Sequence, residues 1–213
     1  MSARNLRKTA FATAAATAVA GKAMASIGPA VPTLIRKIKE GNDEERAEAW
    51  TGAWRFGAPA IKPLVELMTD GNFEVARAAT RAIWKIVHHV GRPGADNERT
   101  DVIVELLPLL ADGQPAVVRR EAMWMLSEIA GDEAVQPVSA LLKDNELRED
   151  ARLVLERMPG DTAVAALKIG LNAVPDDFKV AIEHSLIVRG VAVPGHKCQK
   201  RMPTRGTNVK PLA

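Results

Sequence analysis

The stretch Val118-Arg119-Arg120-Glu121-Ala122-Met123-Trp124-Met125-Leu126 sets the pattern from which the rest of the chain can be read. An anchor at 118 is followed by a basic residue at +1, a small one at +4 and an apolar one at +8, a spacing that lays one side of a helix against a core. The same template fits Glu45-Arg46…Ala49…Ala53, Leu147-Arg148…Ala151…Leu155 and Phe178-Lys179…Ile182…Leu186, with an apolar or acidic anchor. A fifth copy, Val75…Ala79…Ile83, has Ala76 at +1 and Arg77 directly after it. The anchors stand 30, 43, 29 and 31 residues apart, so regular units are interrupted by one insertion of roughly a dozen residues.

Each anchor is preceded by a second helical stretch. Val31–Ile38, Ile61–Met68, Val102–Leu110 and Val135–Leu142 each carry a Pro, near the first turn, where it is tolerated, in all but Val102–Leu110. Between the two stretches lie polar breaks such as Glu40-Gly41-Asn42-Asp43 and Thr69-Asp70-Gly71-Asn72, which supply turn formers and N-cap oxygens. The unit is an antiparallel helix pair. One pair of this length cannot bury its apolar face alone, but stacked pairs share a continuous core. The pattern predicts an all-α fold, a right-handed α-solenoid of about five helix pairs over residues 27–189.

On Ile27-Gly28-Pro29-Ala30-Val31-Pro32 and Val118-Arg119-Arg120-Glu121-Ala122 the chain resembles HEAT repeats, especially the short HEAT-like repeats of the phycobilisome-lyase type. That resemblance implies a scaffold or adaptor, and also permits an auxiliary lyase-like or chaperone-like protein that holds a tetrapyrrole or similar flat ligand. It does not choose between them, because such repeats serve unrelated functions.

Composition agrees with a helical core. Of 213 residues 47% are hydrophobic and only 4% aromatic, with no Tyr. One Cys excludes a disulfide framework and a multi-Cys metal cluster, and no run of about 18 uncharged apolar residues exists to span a bilayer, which argues against membrane insertion. The net charge of +3 hides three zones. Residues 1–26 and 190–213 carry nine cations and no acid, leaving 20 Lys and Arg against all 26 acids in residues 27–189. A body of net −6 argues against nucleic-acid binding by the repeats, although the row Arg46, Arg77, Arg119, Arg120 and Arg148 makes it a third reading. Nearby Glu45, Glu74, Glu121 and Glu149 offer those arginines local ion pairs instead.

The ends are read separately. Residues 1–26 combine Arg4, Arg7 and Lys8, an Ala- and Thr-rich stretch and Ala23-Met24-Ala25, which suits a capping helix, an export signal or a transit peptide. The capping helix is preferred, with a cytoplasmic protein, and export is the alternative. Residues 190–213 hold Pro194, Pro203, Pro211, Gly195 and Gly206 among five cations and are expected to be a disordered basic tail. Lys197, Lys200, Arg201 and Arg205 are its candidate contacts with an acidic partner, a membrane surface or RNA.

Catalytic groups scatter. No glycine-rich phosphate loop, Gly-x-Ser-x-Gly or His-Glu-x-x-His occurs, and pairs such as Asp176-Asp177 splay about 100° apart on a helix. His196-Lys197-Cys198 and His88-His89 fall short of a four-ligand zinc site, so no metal and no cofactor are expected, and His184 is read as a surface residue. What remains is the second-helix surface. Positions +5 and +9 lie roughly 100° to 140° from the core direction, on the wall that becomes concave in a solenoid. Trp50, Trp54 and Trp84 fall there, with Met123 and Trp124 beside them and Arg77 and Arg120 at +2. The other reading, favoured because lateral packing also needs bulk, is that these rings wedge between neighbouring helices of adjacent repeats. The inserted segment is either a second candidate, an exposed rim loop with His88, His89, Arg92, Asp96 and Arg99, or a tolerated insertion without function. The expected function is non-catalytic: a scaffold or adaptor binding another protein or peptide.

Overall fold

The computed structural model describes residues 30–194; the readings of residues 1–26 and of Lys197, Lys200, Arg201 and Arg205 lie outside the described residues. Among those described, every element is helical and there is no strand. Ten α-helices follow one another: α1 (Ala30–Glu40), α2 (Asp43–Thr51), α3 (Ile61–Leu67), α4 (Phe73–Val90), α5 (Asp96–Leu106), α6 (Ala116–Ile129), α7 (Asp132–Ala140), α8 (Arg148–Arg157), α9 (Asp161–Ala173) and α10 (Asp176–Val188). Short 3-10 turns at Ala53–Phe56, Ala58–Ala60, Leu107–Leu110 and Leu141–Lys143 extend or join them. The fold is of the α-solenoid class. The chain forms two compact units that divide after Leu109, inside the third expected pair.

In the first unit, α1 and α2 are joined by Gly41 and Asn42 alone, so the chain reverses at once. Asn42 Oδ1 accepts from the Glu45 backbone N–H at 2.9 Å, and Glu45 Oε2 accepts from the Asn42 N–H at 3.1 Å. This reciprocal cap explains an acidic residue at an anchor position. At Gly57 φ is +57°, the left-handed region that a side chain resists, and there the chain turns from one 3-10 segment into the next. Asn72 caps α4, whose Val75, Ala78, Ala79, Ala82, Ile83, Ile86, Val87 and Val90 form one buried stripe. Ile38, Ile61, Leu64 and Leu106 meet no solvent. Each such side chain contributes roughly 1.5–3 kcal/mol by burial.

In the second unit Val118, Leu126, Leu147, Leu155, Phe178 and Leu186 are buried, as the template requires. Across both units the +4 residues Ala49, Ala79, Ala122, Ala151 and Ile182 are at most 7% exposed. Small side chains at four of these places let helices approach closely.

The inserted segment is not a rim loop. α4 continues to Val90 and α5 begins at Asp96, so only residues 91–95 lie outside helix. Buried Val87 and Val90 carry the apolar stripe one turn further, and buried Ala95 draws the connection inward. The extra residues therefore lengthen helices, and α4 reaches 18 residues.

Candidate functional site: tryptophan clefts of the first unit

Because Ala49 points into the core, its neighbour Trp50 lies about 100° round α2, half-buried beside α4. The two helices leave a cleft of about 440 Å³ lined by Asp43, Arg46, Trp50, Glu74, Arg77 and Arg81. Arg46 is committed within it: Nε donates to the Ile38 carbonyl at 2.9 Å, Nη2 to the Gly41 carbonyl at 2.8 Å and Nη1 to Asp43 at 3.0 Å. Arg77 pairs with Glu74 and lies over the exposed Phe73 ring, 5.7 Å from its centroid. Arg81 and Lys85 lie over Trp50 at 5.3 and 5.7 Å, and neither has a carboxylate partner among the described residues. The negative face of the indole attracts both cations without neutralising either.

A second cleft of about 370 Å³ opens around Trp54. Gly52 ends α2, so Trp54 stands in the following 3-10 turn rather than at the +9 position of an unbroken helix. Its ring, 40% exposed, packs on His89 at 4.6 Å between centroids, and Arg55 lies over it at 5.1 Å. Arg92 donates twice to Glu98, at 3.0 and 2.7 Å, and this bond holds the Glu98 carboxyl below its ordinary pKa. His89 Nε2 is 4.0 Å from the same carboxylate. His88 packs on Trp84 at 5.3 Å from the last turn of α4. Arg99 pairs with Asp96 within the first turn of α5. The rim candidates thus sit on two helices and their short connection, and only His89 and Arg92 meet a predicted ring's cleft.

In the second unit the predicted residues close on themselves. Met123 is fully buried beside equally buried Ala122 and belongs to the core, not to an exposed wall. Asp150 accepts from Arg120 Nε at 2.9 Å and from Trp124 Nε1 at 3.0 Å. Arg157 covers the Trp124 ring at 5.5 Å and pairs with Glu128. A cavity of about 400 Å³ lies instead between the first helices α7 and α9, bordered by Val135, Ser139, Ala166 and the exposed Ile169. At its floor, a Cβ on Gly170 would stand 2.5 Å from Leu142 Cδ1.

The arginine row is explained by internal contacts. Arg119 Nε donates to the Leu110 carbonyl at 3.2 Å, and its other nitrogens reach Asp112 and Asp144. Arg148 reaches Asp177 at 3.1 Å. Arg46 and Arg119 act alike, since each holds a carbonyl at the end of the preceding helical segment. Sequence reasoning missed Arg81 and Lys85, whose signal is the four-residue recurrence Arg77, Arg81, Lys85 along α4.

Among the described residues no cluster of His, Cys, Asp and Glu is arranged to hold a metal ion, and no helix is long and apolar enough to cross a membrane. The model of the Armadillo/beta-catenin-like repeat matches residues 56–88. No curated protein matches the chain. Among solved structures the chain is similar to an engineered protein from a structural genomics programme, with 22% identity over 75% of this chain and 78% of the other and a TM-score of 0.38. It is also similar to a designed armadillo repeat protein in complex with the peptide (KR)4, with 20% identity over 75% and 87% and a TM-score of 0.37. The chain is a helical-repeat protein whose segment 56–88, covering α3 and most of α4, resembles an Armadillo repeat.

Proposed function

We propose that this chain is a HEAT-like, non-catalytic scaffold that binds another protein by laying an extended segment of it along the second-helix surface of the first unit. The observation that carries this reading is the Trp50 cleft, where an indole is only half covered, with two uncommitted cations above it. Trp124 is half-buried too, but its N–H is taken by Asp150 and the cation over its ring is neutralised by Glu128, whereas the cations over Trp50 are not. Half-covered Trp beside Arg is the composition that anchors protein partners. Trp54 supplies a neighbouring anchor in its own cleft.

Peptide display on the full chain tests the reading. Enriched peptides should lose about tenfold or more in affinity, ~1.4 kcal/mol, on Trp50→Ala or Trp54→Ala while helicity is unchanged. If no peptide is enriched, or if binding survives both substitutions, the scaffold reading fails.

A further inference from the structure

We propose that the Trp50 cleft takes an acidic stretch of the partner, with an Asp or Glu carboxylate seated between Arg81 and Lys85 and its methylenes against the indole. This rests on the scaffold reading and adds the sign of the partner's charge.

The cations of the cleft divide cleanly. Arg46 has its nitrogens on two carbonyls and Asp43, and Arg77 has Glu74. Arg81 and Lys85 are exposed, each lies over the Trp50 ring, and among the described residues neither pairs with a carboxylate. Two like charges over a single indole repel each other, and the attraction of the ring at an exposed site is weak. A carboxylate answers both: the guanidinium fork takes two oxygens, the ammonium a third contact, and each bond is charge-assisted.

The second unit contains the completed version of the same chemistry. Trp124 is also flanked by a cation, Arg157 at 5.5 Å, but Glu128 neutralises that arginine and Asp150 takes the indole N–H. The chain thus satisfies an aromatic and a guanidinium with its own carboxylates in one place and leaves them open in the other. A partner would bring the carboxylate that completes the first.

The opposite end of the cleft offers no open cation, which favours polypeptide over nucleic acid. Asp43 and Glu74 stand in the first turns of α2 and α4. From Glu74 to Lys85 is eleven residues of helix, about 16 Å, or about five extended residues at ~3.3 Å each. A phosphodiester chain carries a charge at every step and would find an open cation only at the Arg81 end, because Arg46 and Arg77 are already spent on Asp43 and Glu74. A peptide places its acids at the Arg81 end and uncharged or basic residues at the other.

The test uses the full chain and labelled Gly/Ser peptides of equal length centred on Glu-Leu-Glu, Gln-Leu-Gln or Lys-Leu-Lys, followed by fluorescence anisotropy. The Glu peptide should bind best and weaken as salt rises. The double change Arg81→Gln with Lys85→Gln should weaken it about tenfold, ~1.4 kcal/mol, and Arg81→Glu with Lys85→Glu should transfer the preference to the Lys peptide. Both positions are exposed, so thermal melts should not move. Equal binding of the Gln and Glu peptides, or indifference to the double change, overturns the acidic-partner proposal while display-selected peptides still depending on Trp50 keep the scaffold reading alive. If oligodeoxythymidine binds, and loses affinity on the double change when the Glu peptide does not, the site takes phosphate and the proposal is equally overturned. If no peptide of any charge binds and display enriches none, both readings fall.

Discussion

The indole Nε1 of Trp124 donates to Asp150 Oδ1 at 3.0 Å, tying α6 to the next second helix, α8. The other oxygen of that carboxylate takes Arg120 at 2.9 Å. One aspartate therefore settles two of the residues that sequence alone offers as binding candidates. Replacing Asp150 with Ala leaves the indole N–H unsatisfied and the partly buried Arg120 guanidinium with only its longer contacts to Glu146, at 3.5 and 3.6 Å. Stability should fall by about 1–3 kcal/mol, read as a lower urea midpoint with unchanged m-value, and Asp150→Asn should fall in between because it keeps an acceptor.

Met123 separates core from groove. Its side chain is fully buried, so Met123→Ala should cost about 2–5 kcal/mol. Trp50→Ala, at a half-buried ring, should cost less stability and more binding. Chemical denaturation of both variants checks this ordering, and a stable Met123→Ala protein with impaired peptide binding would reverse the assignment.

Arg152 is a buried charge of the second unit: it pairs with Glu149 and Glu156 and donates to Ser185, which in turn donates to Glu156 at 2.7 Å. Ser185→Ala should cost about 1–2 kcal/mol, and Arg152→Ala about 3 kcal/mol or more because it strands Glu156. The two should be non-additive by more than about 0.5 kcal/mol in a double-mutant cycle. Strict additivity would mean that the contacts act independently.

The Arg92–Glu98 pair makes a pH prediction. The hydrogen bond from Arg92 lowers the Glu98 pKa, so its contribution is present above the unfolded carboxylate pKa and disappears as pH falls through the lowered folded value. On an exposed pair the stability change is small, and the direct readout is a carboxyl NMR titration. The Glu98 midpoint should rise towards the ordinary glutamate value in Arg92→Gln. A midpoint that does not move would contradict the assigned cause.

The template arginines should differ in weight. Arg119 is 7% exposed and holds the Leu110 carbonyl, Asp112 and Asp144, so Arg119→Ala should cost about 2–3 kcal/mol. Arg46, less enclosed, should cost about 1 kcal/mol. Equal urea midpoints for the two variants would rule out burial as the deciding factor.

The helices are legible in the sequence because period and punctuation are local. Anchor, +4 and +8 positions place Val118, Ala122 and Leu126 on one side of a turn of any α-helix, and Asn42 and Asn72 cap helices through bonds spanning two or three residues. Trp50 is legible for the same reason, one step round α2 from buried Ala49. Trp54 departs from its expected position because Gly52 ends the helix two residues earlier. The insertion's polar residues suit the outer face of a long helix as well as a loop, so composition does not separate the two.

Residue spacing along the chain is enough to dictate the all-helical repeat and the identity of its inward residues, since both follow from positions within a turn or two of helix. Some charges are spent within one helical turn, as Arg77 is on Glu74, but others are spent on distant residues. Trp124 reaches Asp150 across 26 residues, Arg148 reaches Asp177 across 29 and Arg152 reaches Ser185 across 33. Those meetings follow from how one helix is turned and shifted against the next, a quantity set by packing many side chains at once. Arg81 and Lys85 lack the acid three residues earlier that Arg46, Arg77 and Arg152 have in Asp43, Glu74 and Glu149, and among the described residues no carboxylate from another helix takes its place.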